Sequence, residues 1–78
     1  MVNYLERTDV FGVTWLKGLT DTGLNVFVTI GSTSPYRVSV LLRDKQAGKR
    51  QKREFYVPDR SAVLPLIDSV LTELGAVL

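Results

Sequence analysis

The 78-residue chain is long enough for one small domain, and its 45% hydrophobic content predicts a folded chain rather than a disordered one. It contains no cysteine and no histidine, which excludes disulfides, thiolate nucleophiles, histidine bases and the usual zinc sites. No apolar run approaches the roughly 20 residues of a membrane span, and the first residues lack the pattern of a signal peptide. We therefore predict a cytoplasmic protein with no cofactor and no membrane partner.

The net charge of +2 conceals an uneven distribution of charge along the chain. Residues 43–53 carry six cations and one anion, a local net of +5, and the rest of the chain has a net of −3. A basic segment on a mildly acidic body indicates a polyanionic partner. The candidate phosphate-binding cations of this segment are Arg43, Lys45, Lys49, Arg50, Lys52 and Arg53.

Alternation of apolar and polar residues predicts four strands, near residues 10–16, 24–30, 36–43 and 53–57. The first is rich in β-branched and aromatic residues, and its Trp15 is expected to lie in a core or an interface. Residues 17–23 contain two glycines and predict a hairpin connection. The residues before position 10 are not expected to form an element, and a long basic loop centred on Ala47 and Gly48 is expected before the last strand.

Beyond Pro58 the period changes from 2 to 3.6, which predicts an amphipathic helix near residues 62–75. Asp59 or Ser61 would cap its N-terminus, Pro65 fits the first turn, and Gly75 fits the C-terminal cap. The chain is thus predicted to be a single α+β domain over residues 1–78, a four-stranded antiparallel sheet followed by one helix. The apolar positions of the helix are Val63, Ile67, Val70, Leu71, Leu74 and Leu78.

One helix covers one face of a sheet, so the other face should be open to solvent. The alternation places Phe27 and Tyr56 on that face together with Arg37 and Arg43. Aromatic rings interleaved with arginines are typical of a surface that stacks bases and binds phosphates. The simpler interpretation is that the rings pack against a partner subunit and that the arginines form surface ion pairs with Asp44 and Glu54.

Catalytic motifs are lacking in the sequence. The carboxylates show no metal-binding spacing, the serines have no histidine to activate them, and the glycines form no phosphate-binding loop. We therefore expect a binding protein rather than an enzyme.

Residues 48–74, GKRQKREFYVPDRSAVLPLIDSVLTEL, resemble the end of a known family of single-stranded nucleic-acid binders. This is the positive-cofactor transcriptional coactivator family, with its bacterial and phage relatives and the related Whirly and Pur-alpha folds. The resemblance consists of a basic loop, a last strand, a proline-containing turn and a C-terminal helix. It implies a homodimer paired through the helices, a role in transcription regulation, phosphate contacts from the arginines and lysines, and a base contact from Tyr56. The phosphate contacts would come from Arg37, Arg43, Lys49, Arg50, Lys52 and Arg53.

Apolar residues beyond a single helical stripe also favour a helix that packs on a partner copy. These residues are Leu64, Leu66, Ala76 and Val77. The main alternative function is a protein-binding or inhibitory module, such as a small phage or plasmid product, which would use the sheet face or edge to bind an acidic protein. The net charge of only +2 keeps this alternative open.

Overall fold

A computed structural model describes residues 3–77, which form one antiparallel sheet and a C-terminal helix. Within that range the strands are β1 (Asn3–Thr8), β2 (Thr14–Leu19), β3 (Asn25–Ile30), β4 (Tyr36–Asp44) and β5 (Lys49–Val57). A short 3₁₀ turn, Arg60–Ala62, leads into α1 (Val63–Val77). The strands lie in the sheet in their order along the chain, so each one pairs with its sequence neighbour. The α+β class and the C-terminal helix are confirmed, whereas the prediction of four strands was wrong: residues 3–77 form five.

The turns that join β1 to β2, β2 to β3 and β4 to β5 share one design. The first residue of each turn has a side-chain oxygen that accepts hydrogen bonds from backbone N–H groups further along the turn. A glycine with φ between 68° and 83° stands near its end, in the left-handed region that other residues rarely adopt. These pairs are Asp9 with Gly12, Thr20 with Gly23, and Asp44 with Gly48.

Turn chemistry explains where the predicted strands were wrong. Residues 10–13 belong to the turn that Asp9 organises, so the strand predicted near 10–16 begins only at Thr14 and runs to Leu19. The same turn brings residues 3–8 alongside β2, where they form strand β1. The expectation that no element precedes residue 10 was therefore wrong. The predicted long basic loop is also wrong, because Asp44 closes a short turn over residues 45–48 and β5 begins at Lys49.

The core lies between one face of the sheet and α1. Alternate residues of β3 and β4 point inward and are almost completely buried, as the sequence pattern predicts. From α1 a single stripe, spaced three or four residues apart, packs onto them. The buried apolar residues of the sheet are Leu16, Val26, Val28, Ile30, Val38, Val40, Leu42 and Val57, and those of the helix are Val63, Ile67, Val70 and Leu74.

The ends of the helix agree only in part with the prediction. The Asp59 side chain accepts a hydrogen bond from the Ser61 backbone N–H at 3.0 Å and caps the 3₁₀ turn, and Pro65 lies in the first turn of α1. Gly75 does not end the helix, since α1 continues to Val77. Leu78, predicted as part of the apolar stripe, lies outside the described residues.

Tyr4 connects β1 to the core between the sheet and α1. It pairs with Gly18 across the β1–β2 ladder, and its ring packs on the edge of the core. Its hydroxyl is buried without a hydrogen-bond partner within the described chain. Burial of the phenol, and secondarily the negative charge of Asp68, raise the pKa of Tyr4 above its ordinary value.

Candidate nucleic-acid interface

The face of the sheet opposite α1, here called the open face, is defined by the register of the strands. Residues that oppose one another in an antiparallel pair project to the same side, so the ladder assigns every strand residue to one face. The open face includes Leu5 and Arg7 on β1; Trp15, Lys17 and Leu19 on β2; Asn25, Phe27 and Thr29 on β3; Arg37, Ser39, Leu41 and Arg43 on β4; and Arg50, Lys52, Glu54 and Tyr56 on β5.

Charge is divided unequally between the two sides. Among the described strand residues the open face holds six cations and one anion, Glu54. The helix side, counted over the described strands and α1, holds two cations and four anions. The cations of the open face are Arg7, Lys17, Arg37, Arg43, Arg50 and Lys52. The basic character that the sequence shows as a run of residues is therefore a property of one surface.

Three aromatic side chains share this surface with the cations. Trp15 is 51% exposed and Tyr56 is 65% exposed, which leaves ring area of both free for contact. Phe27 is only partly exposed, and the Lys17 ammonium lies 5.8 Å from the centre of its ring. This distance is within the range of a cation–π contact. Trp15 and Tyr56 therefore offer more accessible stacking surface than Phe27 does.

A broad, shallow depression of about 900 Å³ occupies the middle of the open face. Trp15 and Phe27 line it from the centre of the sheet, and Arg37, Lys52 and Glu54 line it from β4 and β5. Its surface combines apolar rings, hydroxyls and charged groups. Such a depression can accept a planar ligand that carries negative charge along one side.

Glu54 is held between two of the cations. Its Oε2 accepts a hydrogen bond from the Arg37 guanidinium at 2.7 Å, and its Oε1 lies 3.1 Å from the Lys52 ammonium. The hydrogen bonds from Arg37 and then from Lys52 lower the pKa of Glu54 below its ordinary value. In turn, the bond to Glu54 raises the pKa of Arg37. Both contacts therefore favour the ionised form of the carboxylate.

Six of the nine predicted site residues lie together on the open face. They are Phe27, Arg37, Arg43, Arg50, Lys52 and Tyr56. Lys45 lies in the β4–β5 turn, while Lys49 and Arg53 project to the helix side, where Arg53 forms an ion pair with Glu73 of α1. The prediction of one long basic loop carrying most of the positive charge was wrong, because strand alternation divides its cations between two faces.

One aromatic ring and two cations of the open face were not predicted as site residues. Trp15 was expected in a core or an interface, yet half of it is exposed beside Thr29. Lys17 and Arg7 follow the same alternation on β2 and β1. The Thr20–Gly23 turn is the sequence feature that could have placed Trp15 and Lys17 on this face. A hairpin turn fixes the register of the strands it joins, and this one aligns Trp15 with Thr29 and Lys17 with Phe27.

Among residues 3–77, no group of three or more carboxylates is placed to hold a metal ion. Over the same range, no helix is long and apolar enough to cross a membrane. No family model, no curated protein and no solved structure matches the chain significantly. The chemistry of the open face is therefore the guide to what this protein binds.

Proposed function

We propose that this protein binds single-stranded nucleic acid on the open face of its sheet and catalyses no reaction there. The observation that carries the proposal is the shared location of the cations and the rings. Six cations, a single anion and three aromatic side chains occupy one described face, while the opposite side has an excess of carboxylates.

Each component of that face has a physical role. Cations that neutralise phosphates release condensed counterions, which supplies affinity without regard to sequence. Exposed rings such as Trp15 and Tyr56 stack on unpaired bases, because every base has a π-face. A duplex hides its bases, so a surface that combines both groups favours a single strand. The carboxylates of the helix side would repel the same ligand and so direct it to the open face.

We further propose that two copies pair through α1, as the family resemblance implies. Leu64 is 56% exposed and Leu66 is 41% exposed, one on each flank of the buried stripe of α1. A second helix packed against the flank that carries Leu66 would cover that leucine and leave the two open faces free. Sedimentation at micromolar concentration should give roughly twice the mass of one chain, and Leu66→Asp should return the mass to that of one chain.

The primary test measures affinity for an oligonucleotide across salt concentrations. With about four phosphate contacts to a single strand, log K against log salt should have a slope near −3. Trp15 is the only tryptophan of the sequence and lies on the proposed site, so bound bases should quench its fluorescence. Failure to bind single strands at low salt, where electrostatic attraction is strongest, would overturn the proposal.

A second candidate function is binding to an acidic protein, and one observation favours it. Val10 and Phe11 are 94% and 80% exposed at the tip of the β1–β2 turn, although Asp9 holds that turn with hydrogen bonds. Apolar side chains displayed on a rigid turn are typical anchors of protein interfaces. A protein partner would stay bound in excess polynucleotide, and Phe11→Ala would release it.

Cytoplasmic location and a role in transcription regulation stay predictions.

A further inference from the structure

Four residues of the open face form one row across the depression. The register aligns Trp15 of β2 with Thr29 of β3, Thr29 with Ser39 of β4, and Ser39 with Glu54 of β5. All four line the depression. The row therefore has an exposed aromatic ring at one end, two hydroxyls in the middle and a carboxylate at the other end.

The carboxylate at the end of this row is a prepared hydrogen-bond acceptor. Arg37 and Lys52 each hold one of its oxygens, at 2.7 Å and 3.1 Å. An ionised carboxylate has about four lone-pair positions, so two neighbouring cations leave acceptor capacity for a ligand. It has no proton to donate. Glu54 can therefore recognise a donor on a base edge, and it would repel a carbonyl oxygen in the same position.

Bases differ in what they present to such an acceptor. Cytosine and adenine carry an exocyclic amino group, whereas thymine and uracil carry a carbonyl oxygen at the position equivalent to the cytosine amino group. We propose that the row from Trp15 to Glu54 is a subsite that selects a base with an exocyclic amino group, an inference that rests on the proposed function. Trp15 and Glu54 lie three strand spacings apart, about 14 Å along the row, so Trp15 stacks on one base while Glu54 accepts from the amino group of the next. Thr29 and Ser39 lie between them and adapt as donors or acceptors.

A purely electrostatic role for Glu54 makes a different prediction. If the carboxylate only neutralises Arg37 and Lys52, its removal should strengthen the binding of every sequence by the same factor. If it reads a base, its removal should strengthen binding to thymine oligomers and abolish the preference for cytosine. The ratio of the affinities for cytosine and thymine oligomers therefore distinguishes the two roles, whereas the affinity for one oligomer does not.

The experiment compares oligo(dC) and oligo(dT) of equal length by fluorescence anisotropy at pH 7.5 and low salt. The wild type should bind oligo(dC) about tenfold more tightly, the lower part of the range for a specific contact between a side chain and a base. Glu54→Gln should bring the two affinities within about twofold of each other. Glu73→Gln removes the same charge from the helix side, where Glu73 pairs with Arg53, and should keep the tenfold preference.

Each result decides the question. Equal binding of the two oligomers by the wild type, or an undiminished preference in Glu54→Gln, overturns the base-reading subsite and leaves the proposed function standing. Absence of binding to both oligomers overturns the proposed function as well. Circular dichroism of both variants confirms that they are folded, as expected for side chains at the surface.

Discussion

The two sides of the sheet are made by the same strands and differ in composition and burial. On the helix side, alternate residues of β3 and β4 are valine, isoleucine and leucine, buried under the apolar stripe of α1. On the open face, the intervening residues are cationic, aromatic or polar, apart from Leu41, and none of them is buried. The buried apolar residues lie on one side, and the proposed binding residues lie on the other. The comparison teaches that substitutions on the two sides should affect different measurements.

The largest effect is expected from a charge in the core. Leu74 is 3% exposed under the sheet, so Leu74→Asp buries a carboxylate without a partner and should remove more than about 4 kcal/mol of stability. A domain of this size has little more to lose, and we expect the variant to be unfolded by circular dichroism. Leu66→Asp, eight residues earlier on the exposed side of α1, is the matched control and should keep the fold. Equal unfolding of both would contradict the assignment of the buried stripe.

Neighbouring cations of β5 offer a sharper test of the two faces. Arg50 and Lys52 project to the open face, whereas Lys49 and Arg53 project to the helix side of the same strand. Replacing Arg50 and Lys52 with alanine should flatten the salt dependence of single-strand binding by about 1.4 in log–log slope. Replacing Lys49 and Arg53 removes equal charge and should leave the slope nearly unchanged. The same loss from both pairs would show that net charge, not the face, governs binding.

The aromatic rings should separate affinity from stability. Trp15→Ala and Tyr56→Ala are each expected to weaken single-strand binding by about 1–3 kcal/mol, the range for a ring that stacks on a base. Phe27→Ala should weaken binding less, because Lys17 already occupies part of its surroundings. Thermal unfolding measured on the same samples should change little for Trp15 and Tyr56, which are half exposed or more. Loss of stability without loss of affinity would assign these rings to packing.

A smaller, stabilising effect is expected on the helix side. The Tyr4 hydroxyl is buried with no hydrogen-bond partner in the described chain, so it loses its hydration on folding without compensation. Tyr4→Phe removes this penalty and keeps the ring, and we expect a gain of about 1 kcal/mol. For a domain of this length that gain corresponds to a rise in Tm of roughly 4–8 °C. A lower Tm would mean that the hydroxyl has an acceptor after all.

The smallest effect concerns the ionisation of Glu54. Its folded-state pKa is lowered by Arg37 and Lys52, so its contribution to stability is present above the unfolded pKa and is lost as pH falls through the folded value. An NMR titration of the carboxyl carbon should place the midpoint below the ordinary value of 4.5. In Arg37→Ala the midpoint should rise toward it. A midpoint unaffected by that substitution would show that the pair does not persist in solution.

How far the sequence predicted this molecule depends on the kind of signal. Strong alternation in β3 and β4 and the change of period after Pro58 predicted the buried face and the helix correctly, because burial imposes a period on the residues. The basic first half of β5, residues 49–52, was predicted as loop and only 53–57 as strand, since lysine has low strand propensity. At the edge of a sheet, however, charged residues are favoured because they prevent pairing with other chains.

The candidate site was predicted in part for a related reason. Residues such as Arg37 and Tyr56 follow from the alternation within one strand. Trp15 required the register between strands, which is set by hydrogen bonds within a turn rather than by any property of Trp15 itself. Propensity and periodicity carry no information on such cross-strand alignment, so the row from Trp15 to Glu54 emerges only from the structure.

The order of the strands also bears on how the chain folds. Because each strand pairs with its neighbour in sequence, every ladder in the sheet can form by closing a short loop, with little loss of chain entropy. Chains dominated by such local contacts fold faster than those that must join distant segments. α1 follows all five described strands and completes the core, so a chain ending before Val63 would expose the valine-rich face and aggregate. Short turns thus allow the sheet to form locally, and the helix buries its apolar face.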